Sequence, residues 1–283
     1  MAVPRKTNIT RRPVTRRAAT CRKKQPAGRG TMPNWLRNSL AVVVVLLFSA
    51  GFYYFFIFPY AYRWKPCAGR RGYSVCIPRG YQVHGIDISR HQGQIDWEEL
   101  IHHRQSKFPL HFVFMKATEG GDFPDVTFRE NFHNARQYGF VRGAYHFFSP
   151  RTDPVKQADF FIRTVDLQSG DLPPVLDIEV IGNRTPKELR QAALTWLRQV
   201  EDHYGVKPII YTSYKFKTSY LNDSVFNTYP FWIAHYHVDT LRYQGHWDFW
   251  QHSDGARMKG VSKNVDLNVY RGTPDELRQL TIP

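Results

Sequence analysis

Hydrophobic and polar positions follow two different patterns along the chain. Leu40 to Phe58, LAVVVVLLFSAGFYYFFIF, is a run of 19 residues without a charge, interrupted only by Ser49 and Gly51. As a helix it would span about 28 Å, close to the ~30 Å hydrocarbon thickness of a bilayer. A helix in a water-soluble core would keep a polar face, so the run predicts a transmembrane helix over 40–58. From Val83 onward the pattern changes to short apolar, β-branched or aromatic runs: VHGIDIS at 83, LHFVFMKAT at 110, VRGAYHFF at 141, PPVLDIE at 173, KPIIYTS at 207, PFWIAHY at 230, WDFWQHS at 247 and VDLNVY at 265. Each reads as a strand. Helical stretches with start signals lie between several of them. Asp153 precedes Pro154, and Thr185-Pro186-Lys187-Glu188 and Thr273-Pro274-Asp275-Glu276 combine a capping hydroxyl, Pro at the first helical position and Glu at the third. The helix from Pro186 is predicted to stop at Gly205, with Pro208 beyond it.

Strands alternating with helices predict an α/β domain with a mostly parallel sheet, and eight of them predict a closed (β/α) barrel. The connections between the runs at 230, 247 and 265 are too short for full helices. The barrel is therefore expected to be irregular, with fewer helices than strands. Residues 59–80 are rich in Arg, Gly, Pro and Tyr and read as a linker with one strand at Tyr73–Ile77. Four segments follow: a basic segment 1–39, a membrane span 40–58, a linker 59–80 and a barrel domain 81–283.

Charge changes the reading of the first two segments. The formal net charge of the 283 residues is +15, from 39 Lys+Arg and 24 Asp+Glu. Taken as a whole-chain property, that value points to a nucleic-acid or anionic-surface partner. The first acid is Asp87, however, and residues 1–86 hold 16 of the basic residues, so 87–283 keep 23 basic against 24 acidic. The positive charge thus reads as a topology signal beside the span. It puts the N-terminus in the cytoplasm and the barrel on the outer side of the cytoplasmic membrane, periplasmic or extracellular, with lipid headgroups rather than nucleic acid as partner. A cleaved signal peptide would have a shorter apolar core and small residues after it, whereas bulky PYAYRW follows here. Cys67 and Cys76 fall on the oxidising side, where they either close a loop of about ten residues or remain separate thiols; Cys21 falls on the reducing side.

The acids within apolar runs are the candidate chemistry. Asp87 in GIDIS, Asp177 and Glu179 in VLDIE, and Asp266 in VDLN sit where a carboxylate is costly to dehydrate, so each must be paired, hydrogen-bonded or functional. The strand period of two puts Asp177 and Glu179 on one face, about 6.6 Å apart along the strand. Closure of the barrel would make the strands at 83 and 265 neighbours and bring Asp87 and Asp266 to the same rim. Four converging acids push each other's pKa values apart, as glycoside hydrolysis requires. Taken singly, each acid reads as readily as a cap or an ion-pair partner.

The set GIDIS at 85–89, MKATEG at 115–120, F-x-x-N at 128–131, GAYHFF at 143–148, VLDIE, IIYTS at 209–213, WIAHY at 232–236, FWQHS at 249–253 and VDLN at 265–268 resembles the family-25 glycoside hydrolases, the peptidoglycan muramidases, with a flattened, irregular (β/α) barrel. The resemblance implies hydrolysis of the β-1,4 bond between N-acetylmuramic acid and N-acetylglucosamine. It implies Glu179 as general acid and base, and Asp177 as the group that stabilises the oxocarbenium-like centre, orients the substrate's 2-acetamido group or attacks directly. It further implies Asp87 and Asp266 as flanking catalytic acids, Tyr211 as the tyrosine near the reacting sugar, and Tyr145 and Trp232 as stacking or wall surface. Peptidoglycan glycan strands are the expected partner, with no metal and no organic cofactor: His235, His237 and His252 lack the spacing of a metal motif, as do His102 and His103. Glu119 and Asp125 read as loop-fixing. The competing functions are a non-catalytic peptidoglycan-binding protein and a hydrolase of a chitin-like polymer.

Overall fold

The computed structural model describes residues 32–58 and 67–283. Most of the basic segment, with Cys21, and residues 59–66 of the expected linker lie outside the described residues. The described residues form two units, one on either side of 59–66. The first is a single helix, α1 (Asn34–Phe52), continued by a π-helical turn at Tyr53–Ile57. It begins six residues before the expected span, because Asn34 to Ser39 extend the helix ahead of the apolar run. Its 24 residues span about 36 Å, and no residue of α1 is buried.

The second unit holds β1 (Arg70–Gly72), β2 (Val75–Ile77), β3 (Val83–Ile88), α2 (Trp97–Leu100), β4 (Leu110–Glu119), β5 (Phe123–Pro124), α3 (Phe128–Gln137), β6 (Val141–Phe147), α4 (Pro154–Thr164), β7 (Val175–Asp177), α5 (Pro186–Tyr204), β8 (Ile209–Ser213), α6 (Tyr214–Tyr220), β9 (Phe231–Ala234), β10 (Phe249–Ala256), β11 (Val265–Tyr270) and α7 (Pro274–Gln279). The order β3-β11-β10-β9-β8-β7-β6-β4 closes through β4 pairing with β3, and the short β5 adds to β4. Every expected run is a barrel strand. Seven run parallel, but β11 is antiparallel to both β10 and β3. The physical reason is the short connection over 257–264, since a parallel crossover needs about a dozen residues or more.

Caps stop and start the helices as the side chains dictate. Asp153 accepts from the Lys156 amide at 3.0 Å, Thr185 and Glu188 form a reciprocal capping box, and α5 ends on Gly205 at φ 71°. Thr273 and Glu276 repeat the box on α7. The buried face of α5, with Leu189, Trp196, Leu197 and Val200, packs the outer core. Inside the barrel, Phe112 and Phe114 of β4 meet Phe249 and Trp232, with Phe114 stacked on Trp232 at 4.4 Å between ring centroids. Gly85 and Gly143 leave the room for those rings: a Cβ at either would come within 2.4 or 2.5 Å of Phe112 or Phe114.

Among the described residues no helix follows β9 or β10. There, β1 and β2 form a hairpin whose turn is Tyr73 and Ser74, both at positive φ (52° and 65°), and the Cys67–Cys76 disulfide closes it with Cα atoms 5.4 Å apart. The expected strand at Tyr73–Ile77 is thus shortened to Val75–Ile77, because its first two residues make the reversal. The hairpin is packed rather than a free tether. Ile77 is buried in the same core cluster as Val265 and Leu267, the Tyr73 hydroxyl donates to the Phe108 carbonyl at 2.6 Å, and the Arg257 amide donates to the Tyr73 carbonyl at 2.8 Å.

Candidate active site

Strand direction decides where the acids arrive. Asp87 lies near the end of β3 and Asp177 ends β7, while Glu179 stands two residues beyond the strand rather than on it. The reversed β11 carries Asp266 as its second residue, and its start lies at the rim where the parallel strands finish. Asp266 pairs in register with Asp87. The four acids, with Tyr145, Tyr211 and Trp232, line one cleft of about 300 Å³. Lys116, Phe147 and Gln251 line it too.

Two of the acids form a close pair. The carboxyl groups of Asp177 and Glu179 hydrogen-bond to each other. Asp177 is buried, and no N–H or O–H donor reaches its Oδ1. Burial pushes its pKa well up, the neighbouring Glu179 charge adds to that, and Lys116 opposes it. Glu179 is open to solvent by surface area, yet the cleft walls dehydrate its carboxyl enough to raise its pKa; the hydrogen bond from Asp177 pulls it back. The upward shift is the larger at Asp177, the more deeply buried of the two. Lys116 itself is held by Glu119 at 2.7 Å.

The second pair is Asp87 and Asp266. Burial raises the Asp87 pKa, while donors lower it: its Oδ2 accepts from Gln251 Nε2 at 2.8 Å and from Asn268 Nδ2 at 2.7 Å. Asp266 is pushed up to about 9, first by burial and then by the Asp87 charge beside it. Behind them, Tyr211 and Tyr236 both donate to Gln251 Oε1, and Trp232 Nε1 donates to Asn268 Oδ1 at 2.8 Å. Trp232 is only 2% exposed, with Phe114 covering one face and Tyr211 edge-on to it. It therefore forms the floor of the cleft rather than a free stacking wall. Tyr145 is half-buried, and burial with the nearby acids keeps its phenol neutral.

Gln251, Asn268, Tyr236 and Lys116 were not singled out from sequence, although each lies in a quoted motif. The available signal was a neutral amide inside an apolar strand, which must find partners once buried. Asp125 fixes the loop after β5, accepting from the Arg90 and Thr127 amides at 2.9 Å. His252 is buried with neither ring nitrogen hydrogen-bonded, and it lines a separate recess beside the disulfide hairpin rather than the acid cleft.

A closed barrel with two carboxyl pairs of contrasting environment at one rim is the arrangement of a glycoside hydrolase. Residues 86–261 match the model of glycosyl hydrolases family 25, and the chain belongs to that family. The Escherichia coli protein YegX is 43% identical over 209 residues, covering 74% of this chain and 76% of YegX. Lysozyme M1 of Streptomyces globisporus is 33% identical over 218 residues, covering 70% and 71%. Among solved structures, the bacterial lysozyme from Streptomyces coelicolor superposes with a TM-score of 0.65 at 31% identity, over 70% of this chain and 96% of that one. The family match ends before β11, so Asp266 and Asn268 lie outside it.

Proposed function

We propose that the protein is a membrane-anchored muramidase that hydrolyses the β-1,4 bond between N-acetylmuramic acid and N-acetylglucosamine in peptidoglycan. The lysozyme relatives support the substrate class. The observation that carries the reading is the convergence of Asp87, Asp177, Glu179 and Asp266 on one cleft. Inverting enzymes keep their carboxyls roughly 6.5–9.5 Å apart to admit water, and retaining enzymes with a carboxylate nucleophile keep them about 5–5.5 Å apart. A substrate-assisted route needs neither spacing, and the coupling of the buried Asp177 to Glu179 supports it, with the substrate's own 2-acetamido oxygen as nucleophile.

In this scheme the acetamido N–H donates to Asp177, making Asp177 the anion and moving the shared proton to Glu179. The glycosidic C–O bond breaks as its oxygen takes that proton, and the acetamido oxygen bonds to the anomeric carbon. Water then attacks the same carbon, Glu179 takes its proton, and the acetamido C–O bond breaks with net retention. Buried negative charge on Asp87 offsets the oxocarbenium-like centre. Anchoring is supported by the apolar run within the helix Asn34–Ile57, whose mean hydropathy reaches 2.4 over 18 residues, and by a leader with 11 Lys+Arg and no acid over 1–39; that charge bias favours a barrel on the outer side.

The test is digestion of purified peptidoglycan and of chitin by the full chain in detergent micelles, with mass spectrometry of the new reducing ends. Reducing N-acetylmuramic acid is expected. Reducing N-acetylglucosamine, or cleavage of chitin alone, refutes the bond assignment, and a first product of inverted anomeric configuration refutes the acetamido route.

A further inference from the structure

The donors around Asp87 are locked in orientation. An indole N–H is a donor and nothing else, so the Asn268 atom 2.8 Å from Trp232 Nε1 is the amide oxygen. That turns Asn268 Nδ2 onto Asp87 Oδ2 at 2.7 Å. Gln251 is held the same way: its Oε1 receives the Tyr211 phenol at 2.7 Å and the Tyr236 phenol as well. Its Nε2 therefore faces the same Asp87 oxygen at 2.8 Å. Two N–H donors on Oδ2 stabilise the ionised form of Asp87 and leave Oδ1 to meet a proton carried by Asp266. Asp87 and Asp266 stand opposite each other in the β3–β11 register and each acts on the other's titration; a contact between two carboxyls needs one proton between them.

We infer that Gln251 and Asn268 are positioning residues that fix Asp87 as the anion and Asp266 as the acid of a proton-sharing pair, so the pair brings one negative charge to the cleft and not two. The inference rests on the muramidase reading and deepens it, by setting how much charge meets the developing cation. The groups acting on Asp266 from the neighbouring elements are Asp87 on β3, Asp254 on β10 and Glu179 beyond β7, and its own field reaches Tyr236 after β9. They are acids and a neutral phenol, so a second ionisation beside Asp87 would meet further negative charge rather than a cation. Trp232 acquires a role through Asn268: it sets the direction of an amide.

The experiment is Gln251→Glu in the full chain. One oxygen of the new carboxylate still accepts the two phenols, while the other faces Asp87. At pH 7.5 two anions abut, and kcat/KM on purified peptidoglycan is expected to fall about 100-fold, the scale of an unpaired buried charge. Toward pH 5 the new carboxyl takes a proton and donates to Asp87, so at least about tenfold of the loss returns. Gln251→Met, which neither donates nor titrates, stays low at both pH values. A Gln251→Glu profile parallel to wild type, or a fully active Gln251→Met, overturns the inference. Melting temperature supplies a readout independent of catalysis. The raised pKa of the new carboxyl makes its cost to stability grow with pH, so the melting gap to wild type should narrow from pH 7.5 to pH 5. If the wild type cleaves no peptidoglycan, the muramidase reading fails while this gap still decides the positioning role. Should Gln251→Glu not fold, Asn268→Asp must give the same narrowing, and its absence refutes the inference.

Discussion

Glu179→Gln separates chemistry from stability at one atom. The amide keeps the shape of the side chain but has no proton to deliver to a leaving oxygen. General acid catalysis is worth about 10²- to 10⁴-fold, or roughly 2.7–5.5 kcal/mol of barrier, so kcat should fall within that range while KM changes little. The fold should respond in the opposite direction. In the native pair two carboxyls share one proton, and Oδ1 of Asp177 meets no N–H or O–H donor. The glutamine amide supplies that donor without adding charge. A net gain of about 1 kcal/mol is the usual scale for such a hydrogen bond, which raises the melting temperature by about 2–4 °C in a domain of this size. Reducing-end release from peptidoglycan gives the first quantity and thermal denaturation at pH 7 the second. Activity within tenfold of wild type refutes Glu179 as the acid. A variant that melts several degrees lower refutes the shared proton.

The remaining expectations concern the fold that holds the site. Replacing Cys67 and Cys76 by Ser opens a loop of sequence separation 9, which costs about 2.7 kcal/mol in the chain-entropy model and should lower melting by about 5–10 °C; an unchanged melting point shows that the hairpin holds without the bond. Gly143→Ala drives a Cβ to 2.5 Å from Phe114, and overpacking of this kind costs about 1–3 kcal/mol, read as a lower denaturant midpoint. The raised pKa values of Asp177 and Asp266, the proton-bearing members of the two pairs, mean that the folded state binds protons the unfolded chain has released. That stability is complete below the unfolded carboxylate range and is lost as pH rises toward the folded value, about 9 for Asp266. Melting should therefore fall from pH 5 to pH 9, less steeply in Asp266→Asn; a flat profile in the wild type contradicts the assignment.

What the sequence made legible follows from how local each signal is. Thr185 with Glu188, and Gly205 at the other end, mark α5 because caps act within a few residues of the helix they bound. The eight strands stand out because β-branched and aromatic runs are separated by turn residues. The direction of β11 is not encoded in its own pattern, since alternation reads the same both ways, and only the short 257–264 connection carries it. The β1–β2 hairpin leaves no mark in the pattern, because Tyr73-Ser74 lacks the Asn-Gly or Asp-Gly signature of a tight reversal and reads instead as the start of a strand. The acids drew notice because a charge in an apolar strand is expensive. Gln251 and Asn268 carry no charge, and their importance is visible only once Trp232, Tyr211 and Asp87 are seen around them.

The strand that closes the barrel is also the last one made. Asn268 reaches Asp87 across a separation of 181 residues, and Asp266 arrives on the same strand. Until β11 docks, Asp87 has neither its amide from Asn268 nor the proton it shares. Contacts so distant along the chain form late and slowly. The second carboxyl pair of the cleft is thus assembled only when the final strand is in place.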